Sequence, residues 1–205
     1  MGMVKTRLAA SLGAEAALRF HQASLRLVIE RLSSIPAQRF LYLAGCNPEE
    51  ADTLLAAWPP AAHWQVRLQT GGHLGQRLKA AFQELWHPGA RVVFLGSDAP
   101  SLPPSLVGEA FRRLDSVPVV LGPAEDGGYY LLGLNRPVEM VFSEIEWGTA
   151  RVLEQTLERV RNLPTSLLPS WFDVDDEPAL RRLLLDLSVA DRLRELGAID
   201  EGGLV

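Results

Sequence analysis

A short β-branched run, Arg91-Val92-Val93-Phe94-Leu95, ends abruptly in Gly96-Ser97-Asp98-Ala99-Pro100, and this join constrains the fold more than any other stretch. An apolar run of this length bounded by turn residues reads as a buried strand. Its carboxylate stands at the strand's carboxyl end, where ligands sit in an open α/β sheet. The pattern returns about one βα unit later in Gly122-Pro123-Ala124-Glu125-Asp126-Gly127-Gly128-Tyr129-Tyr130. Two acidic strand ends in succession suggest the rim of an active site.

The rest of the chain alternates accordingly. Ala17, Leu18, Leu25, Val28, Ile29 and Leu32 recur at three- and four-residue spacing, which predicts an amphipathic helix over 14–33. Strands are predicted over 39–44 and 64–69. A helix over 48–58 has Asn47 as its cap and Pro48 at its first position. Further helices are predicted over 74–86, 105–114, from Gly148-Thr149 to about 161 with Thr149 as cap, and 177–187, with one more in the tail from Val189. Strands are predicted over 117–121 and 129–134, with an extended run over 167–175. This alternation predicts one α/β domain over 1–205, a three-layer αβα sandwich with a mainly parallel sheet. The close strand pair around Asp126-Gly127-Gly128 is the exception and can bring in one antiparallel strand.

Composition narrows the function. The 205 residues are 47% hydrophobic with a net charge of −5, enough for a real core. Lys and Arg are scattered, so no basic block argues for nucleic acid or an anionic membrane. No apolar run approaches the roughly 18 residues of a spanning helix, and Met1–Gly13 lacks the apolar core of a signal peptide. A single cysteine, Cys46, fits a reducing, cytoplasmic setting and reads as a small buried hydrophobe after a strand.

Several segments carry chemistry. Lys5-Thr6-Arg7 sets two cations and a hydroxyl just before a helix, where a point charge and a planar fork can grip phosphates; a solvated surface is its plain alternative. Gly71-Gly72-His73-Leu74-Gly75-Gln76-Arg77 lets backbone approach a ligand at a helix start, where free N–H groups favour anions, with Arg77 near the first turn. A capped helix explains it equally well. Asp98, next to Ser97, is the kind of oxygen ligand Mg²⁺ prefers, often alongside substrate phosphates. Asp126, Gly127, Gly128 and Tyr129 suit a pocket wall for a sugar or small acceptor, although Asp-Gly is also a leading turn signal. Glu146 and Trp147 precede a helix N-terminus. In Asp173-Val174-Asp175, strand alternation points both carboxylates to one side, which is costly unless a cation or donors neutralise them.

Taken together, Gly2-x-x-Lys5-Thr6-Arg7-Leu8, Gly72-x-x-Gly75-x-Arg77-Leu78, Gly96-Ser97-Asp98-Ala99-Pro100, Gly122-Pro123-x-x-Asp126-Gly127-Gly128-Tyr129-Tyr130-Leu131, Trp147-Gly148-Thr149 and Asp173-Val174-Asp175 resemble, in this order, the MobA-like nucleotidyl and glycosyl transferases of GT-A fold. The subgroup named radical-SAM/selenodomain-associated transferase is the most similar; the phospholactate guanylyltransferase branch is less so. The resemblance covers residues 2 to about 187. It implies a nucleotide-binding sandwich that uses an NTP or nucleotide-sugar with Mg²⁺ or Mn²⁺. Lys5 and Arg7 would hold phosphates, with Gly72, Arg77 and Ser97 on the nucleotide side. Asp98 would bind the metal, with Asp173 or Asp175 as second ligand. Gly127, Gly128 and Thr149 would line the acceptor side with Asp126, Tyr129 and Trp147. The family places an apolar strand ahead of the Lys-Thr-Arg loop, whereas Met1-Gly2 here already lies inside that loop.

The expected function is therefore a metal-dependent transferase acting on a small-molecule nucleotide and an unidentified acceptor, with no nucleic-acid or membrane partner and no indicated oligomer. The alternative is a nucleotide- or partner-binding module without turnover. A methyltransferase fits less well, because it needs a glycine-rich loop after a first strand.

Overall fold

The computed structural model describes residues 5–47, 49–51, 53 and 63–200. Helix α1 (Thr6–Leu12) and helix α2 (Ala14–Leu32) are separated only by Gly13, whose φ of 86° no side-chain-bearing residue adopts easily. Strands β1 (Arg39–Leu43) and β2 (Trp64–Leu68) come next, then α3 (Leu74–Leu85), β3 (Val92–Leu95), α4 (Pro104–Arg113), β4 (Val119–Pro123), β5 (Tyr129–Leu134), α5 (Val152–Arg159), β6 (Thr165–Leu167), α6 (Glu177–Leu183) and α7 (Leu187–Glu195).

The strands form two hydrogen-bonded groups. β1 and β2 pair in parallel, and the other four are ordered β3-β5-β4-β6. β5 runs antiparallel to both neighbours, while β4 and β6 are parallel. β3, β4 and β6 therefore share one direction, and the antiparallel member is the strand after Asp126-Gly127-Gly128. Among the described residues the two groups share no paired strands, and the strand that the resemblance puts ahead of Gly2 lies outside the described residues.

Alternation along the strands builds the layers. Val120, Val93 and Leu95 face a core with Ala99, Leu102, Val107, Ala110 and Leu114 around α4, joined by Val28 and Leu32 of α2. Val119, Leu121, Val92, Phe94, Leu132 and Leu134 face the opposite way, against Phe82 of α3, Leu153 and Leu157 of α5, and the Val138–Phe142 turn. Successive strand residues point to opposite faces, so one strand feeds two cores. A third core joins Leu8, Phe20, Ala23 and Leu27 to Val174, Leu180, Leu183, Val189 and Leu193. It clamps α1 and α2 to the last two helices, which places the start of the described chain beside residues 173–175.

Three local expectations are corrected. Lys5-Thr6-Arg7 does not lie wholly before a helix; Thr6 and Arg7 are the first two residues of a two-turn helix, which ends where Gly13 breaks the run after Leu12. Thr149 does not cap α5. Its Oγ1 donates to the Glu146 carbonyl and accepts only a long 3.3 Å bond from Arg151 N–H, and the residue before the helix is Arg151. The 177–187 helix breaks after Leu183, because the Asp186 side chain accepts from the N–H groups of Ser188 and Val189 and starts α7. The cap at Asn47 is present: its side chain accepts from Glu50 N–H, and the Glu50 carboxylate accepts from Asn47 N–H. Pro48 and residues 54–58 of that predicted helix lie outside the described residues. Among the described residues no helix is long and apolar enough to cross a membrane.

Candidate functional site

Three segments converge at the carboxyl ends of β3 and β4. The turn after β3 carries Ser97 and Asp98. The loop after β4 carries Glu125 and Asp126. The stretch from Leu168 to Asp175 runs alongside them, held by Trp171 N–H to Pro123 O at 3.0 Å, Glu125 N–H to Trp171 O at 3.0 Å and Val174 N–H to Asp98 O at 2.8 Å. Val174 is fully buried in the helical core, so its neighbours Asp173 and Asp175 turn outward together, as alternation requires.

Lys5 completes the constellation. Its Nζ lies 2.5 Å from Asp98 Oδ1 and 2.8 Å from Asp175 Oδ1, with only 4% of its side chain exposed against 45% and 42% for the two carboxylates. The backbone of Lys5 is left-handed, φ 50° and ψ 52°, a conformation that costs an L-residue roughly 1–2 kcal/mol. The same residue forms the buried double ion pair. Lys5, Thr6, Arg7, His21, Ser97, Asp98 and Asp175 surround a cavity of about 360 Å³. A second cavity of about 310 Å³ shares Arg7 and Asp175 with the first and adds Glu125, Asp126, Phe172, Asp173, Asp176 and Arg182.

The two cavities differ in charge. In the second, Arg182 forms a forked pair with Glu125, at 2.6 and 3.0 Å, and lies 4.0 Å above the Phe172 ring. That pairing holds the Glu125 carboxyl below the usual carboxylate range. Asp173 is pushed the other way, up to about 7, by burial first and then by the carboxylates of Asp126, Asp98 and Asp175, with Lys5 opposing. Among the described residues no three His, Cys, Asp or Glu side chains converge as a ready-made ion site. Asp98 and Asp175 nonetheless bring two hard oxygens to one point, now taken by an ammonium. That donor chemistry fits a small divalent cation.

The remaining predicted residues divide. Asp126 lines the second cavity, and its Oδ1 accepts from Gly128 N–H at 2.9 Å. Gly127 is structural: at φ 91° a Cβ would stand 2.1 Å from the Ala150 carbonyl oxygen. Tyr129 and Trp147 meet edge to face at 6.3 Å, and neither they nor Thr149 line either cavity. Gly72 and Arg77 also lie off both. Arg77 donates to Gly72 O at 2.9 Å and Gln69 Oε1 at 2.9 Å, so its guanidinium braces the loop. Gly75 lets the Trp147 indole approach, since a Cβ there would stand 2.4 Å from Trp147 Nε1. Cys46 is free and only half-buried.

Sequence reasoning missed His21, Phe172 and Arg182. His21 sits on α2 with Nδ1 buried and without a hydrogen-bond partner, and burial lowers its pKa against the pull of Asp98. Its signal was available: it falls four residues after Ala17 and four before Leu25, a polar ring on the apolar stripe. Phe172 and Arg182 gave no comparable signal, because their meeting depends on tertiary packing.

The architecture matches the nucleotide-diphospho-sugar transferase-like folds. A solved candidate nucleotide-diphospho-sugar transferase from Desulfovibrio desulfuricans G20 is 31% identical, with a TM-score of 0.83 over 96% of this chain and 90% of that one. CMP:2-keto-3-deoxy-manno-octonic acid synthetase complexed with CTP shares the fold at 15% identity, with a TM-score of 0.53 over 84% and 88% of the two chains. Rv0371c from Mycobacterium tuberculosis H37Rv, in complex with manganese, does so at 18% identity, with a TM-score of 0.51 over 80% and 86%. Residues 28–149 match the family described as uncharacterized protein conserved in bacteria, DUF2064, and the chain belongs to it. No curated protein sequence matches the chain.

Proposed function

We propose that this protein is a cytoplasmic, metal-dependent transferase that takes an NTP or nucleotide-diphospho-sugar as donor and passes a nucleotidyl or glycosyl group to a small acceptor. The observation that carries the reading is the meeting of Lys5, Asp98 and Asp175 on one wall of a cavity that also offers Thr6, Arg7 and Ser97. The likeness to a candidate nucleotide-diphospho-sugar transferase supports the donor class, and the ordered motifs keep the MobA-like subgroup as its finer form.

In this reading the donor's diphosphate lies in the first cavity, met by the Lys5 ammonium, the Arg7 guanidinium and the hydroxyls of Thr6 and Ser97. Lys5 and Arg7 stabilise the charge that grows on the leaving phosphate. Asp98 and Asp175 would hold Mg²⁺ or Mn²⁺, with Asp173 beside them; such an ion supplies neutralising charge at the diphosphate. The acceptor lies in the second cavity, against Phe172 and within reach of Asp126 and Asp173. Asp173, its pKa near neutrality, is suited to take the proton of an acceptor hydroxyl. Arg7 and Asp175 stand on the shared wall, so the two substrates meet there. Gly72, Arg77, Gly127, Gly128, Tyr129, Trp147 and Thr149 support this frame from behind.

Calorimetric titration with a panel of NTPs and UDP-, GDP- and CMP-sugars, with and without Mg²⁺, tests the proposal when coupled to assays of pyrophosphate or nucleotide release. Metal-dependent binding with turnover is the expected result. Binding without turnover across acceptors would favour a binding module, and absence of all nucleotide binding would overturn both.

A further inference from the structure

Lys5 does something in this structure that phosphate binding alone does not require. Its ammonium is buried beneath two half-exposed carboxylates and occupies the point at which Asp98 Oδ1 and Asp175 Oδ1 converge. The chain therefore carries its own cation where the assigned metal would stand. A divalent ion arriving alone must either take those oxygens from Lys5 or sit a few ångströms from a buried ammonium. Both are unfavourable, because like charges repel strongly where water is scarce. A donor phosphate changes the balance by offering Lys5 a new anionic partner. The left-handed backbone of Lys5 is an uncommon, costly conformation, so a change of partner for its side chain can be coupled to its relaxation.

We propose that Lys5 is a built-in counter-ion that excludes the metal from Asp98 and Asp175 until a nucleotide's phosphates draw its ammonium away, so that metal and nucleotide load together. The inference rests on the donor-cavity reading above and adds an order to it. Metal and Lys5 compete for one carboxylate pair, and by linkage nucleotide raises metal affinity as much as metal raises nucleotide affinity. Lys5 thus has two seats, on the carboxylates in the free protein and on phosphate in the loaded one.

The test is Mn²⁺ binding monitored by electron paramagnetic resonance on the whole chain, with Mn²⁺ alone and with Mn²⁺ plus a non-hydrolysable nucleotide, corrected for Mn²⁺ held by nucleotide in solution. Wild-type protein is expected to bind Mn²⁺ at least about tenfold more tightly with nucleotide present. Lys5→Met is expected to bind Mn²⁺ alone about tenfold more tightly than wild type, to lose nucleotide affinity and to lose most of the coupling. Lys5→Arg, which keeps the cation, is expected to stay close to wild type with Mn²⁺ alone. Equal Mn²⁺ affinity in wild type with and without nucleotide would overturn the proposal, even if Lys5→Met failed to fold. Unchanged Mn²⁺ affinity in a folded Lys5→Met protein would overturn it as well. If Asp98→Asn and Asp175→Asn leave Mn²⁺ binding untouched, or nothing binds Mn²⁺ at all, the metal assignment itself fails.

Discussion

The two cavities are close in size and share Arg7 and Asp175, yet they handle charge in opposite ways. The first balances its carboxylates internally through one buried lysine. The second ties Glu125 to Arg182 but leaves Asp126 and Asp173 without a cation of their own among the described residues. The balanced cavity has a stable resting state and needs an incoming anion to disturb it. The unbalanced one holds Asp173 partly buried among other carboxylates, and burial first and repulsion second raise its pKa, a cost that a bound cation or a transferable proton relieves. On the proposed reading, one fold thus holds a switch-like donor side next to a reactive acceptor side.

The sharpest way to break this contrast is Asp98→Asn, which removes a carboxylate from the balanced side. Donor turnover, read as pyrophosphate or nucleotide release, should fall about a thousandfold, while far-ultraviolet circular dichroism stays unchanged. Loss of less than about tenfold would remove Asp98 from the chemistry. Gly127→Ala attacks the frame behind the acidic side. Its positive φ and the 2.1 Å approach to the Ala150 carbonyl predict a loss of about 3 kcal/mol in denaturant unfolding.

The burial and crowding of Asp173 have a pH signature. Asp173 titrates near 7 in the folded chain and near 3.8 when unperturbed, so the folded state favours its protonated form. Its contribution is full below about pH 4 and is lost as pH rises through 7. With chelator present, wild-type melting temperature should fall across that window and Asp173→Asn should flatten the fall. A flat wild-type profile would deny the imbalance. Phe172→Ala should raise the acceptor KM about tenfold by removing the aromatic wall, with donor affinity intact. An equal change for donor and acceptor would erase the division between the cavities. At the small end, Glu109→Ala, which removes exposed pairs with Arg112 and Arg113, should shift stability by under about 1 kcal/mol.

Much of this was readable in the sequence. The β3 run and its Asp98, the alternation that turns Asp173 and Asp175 outward around Val174, and the antiparallel strand after Asp126-Gly127-Gly128 are short-range patterns, and they folded as read. The glycine loop at 71–77 and the segment at 147–149 looked equally chemical, yet Arg77 is spent on its own loop and Trp147 on the approach to Gly75. Glycine and arginine serve a turn as well as a phosphate, so composition alone does not separate the two. His21 carried a local signal, a polar ring on an apolar stripe, but Lys5 as bridge depends on a contact across 170 residues and Arg182 over Phe172 on tertiary packing, which no local pattern encodes.

The bond from Val174 N–H to the Asp98 carbonyl has a wider consequence. It is a main-chain link between the two acidic segments, present beside the Lys5 bridge and independent of which side chains residues 98, 173 and 175 carry. Substitutions at residues 98, 173 and 175 therefore leave this link in place, with buried Val174 anchoring the segment from below. On the proposed reading, a rim mounted in this way is open to new donors and acceptors by substitution at a few positions, in nature or at the bench.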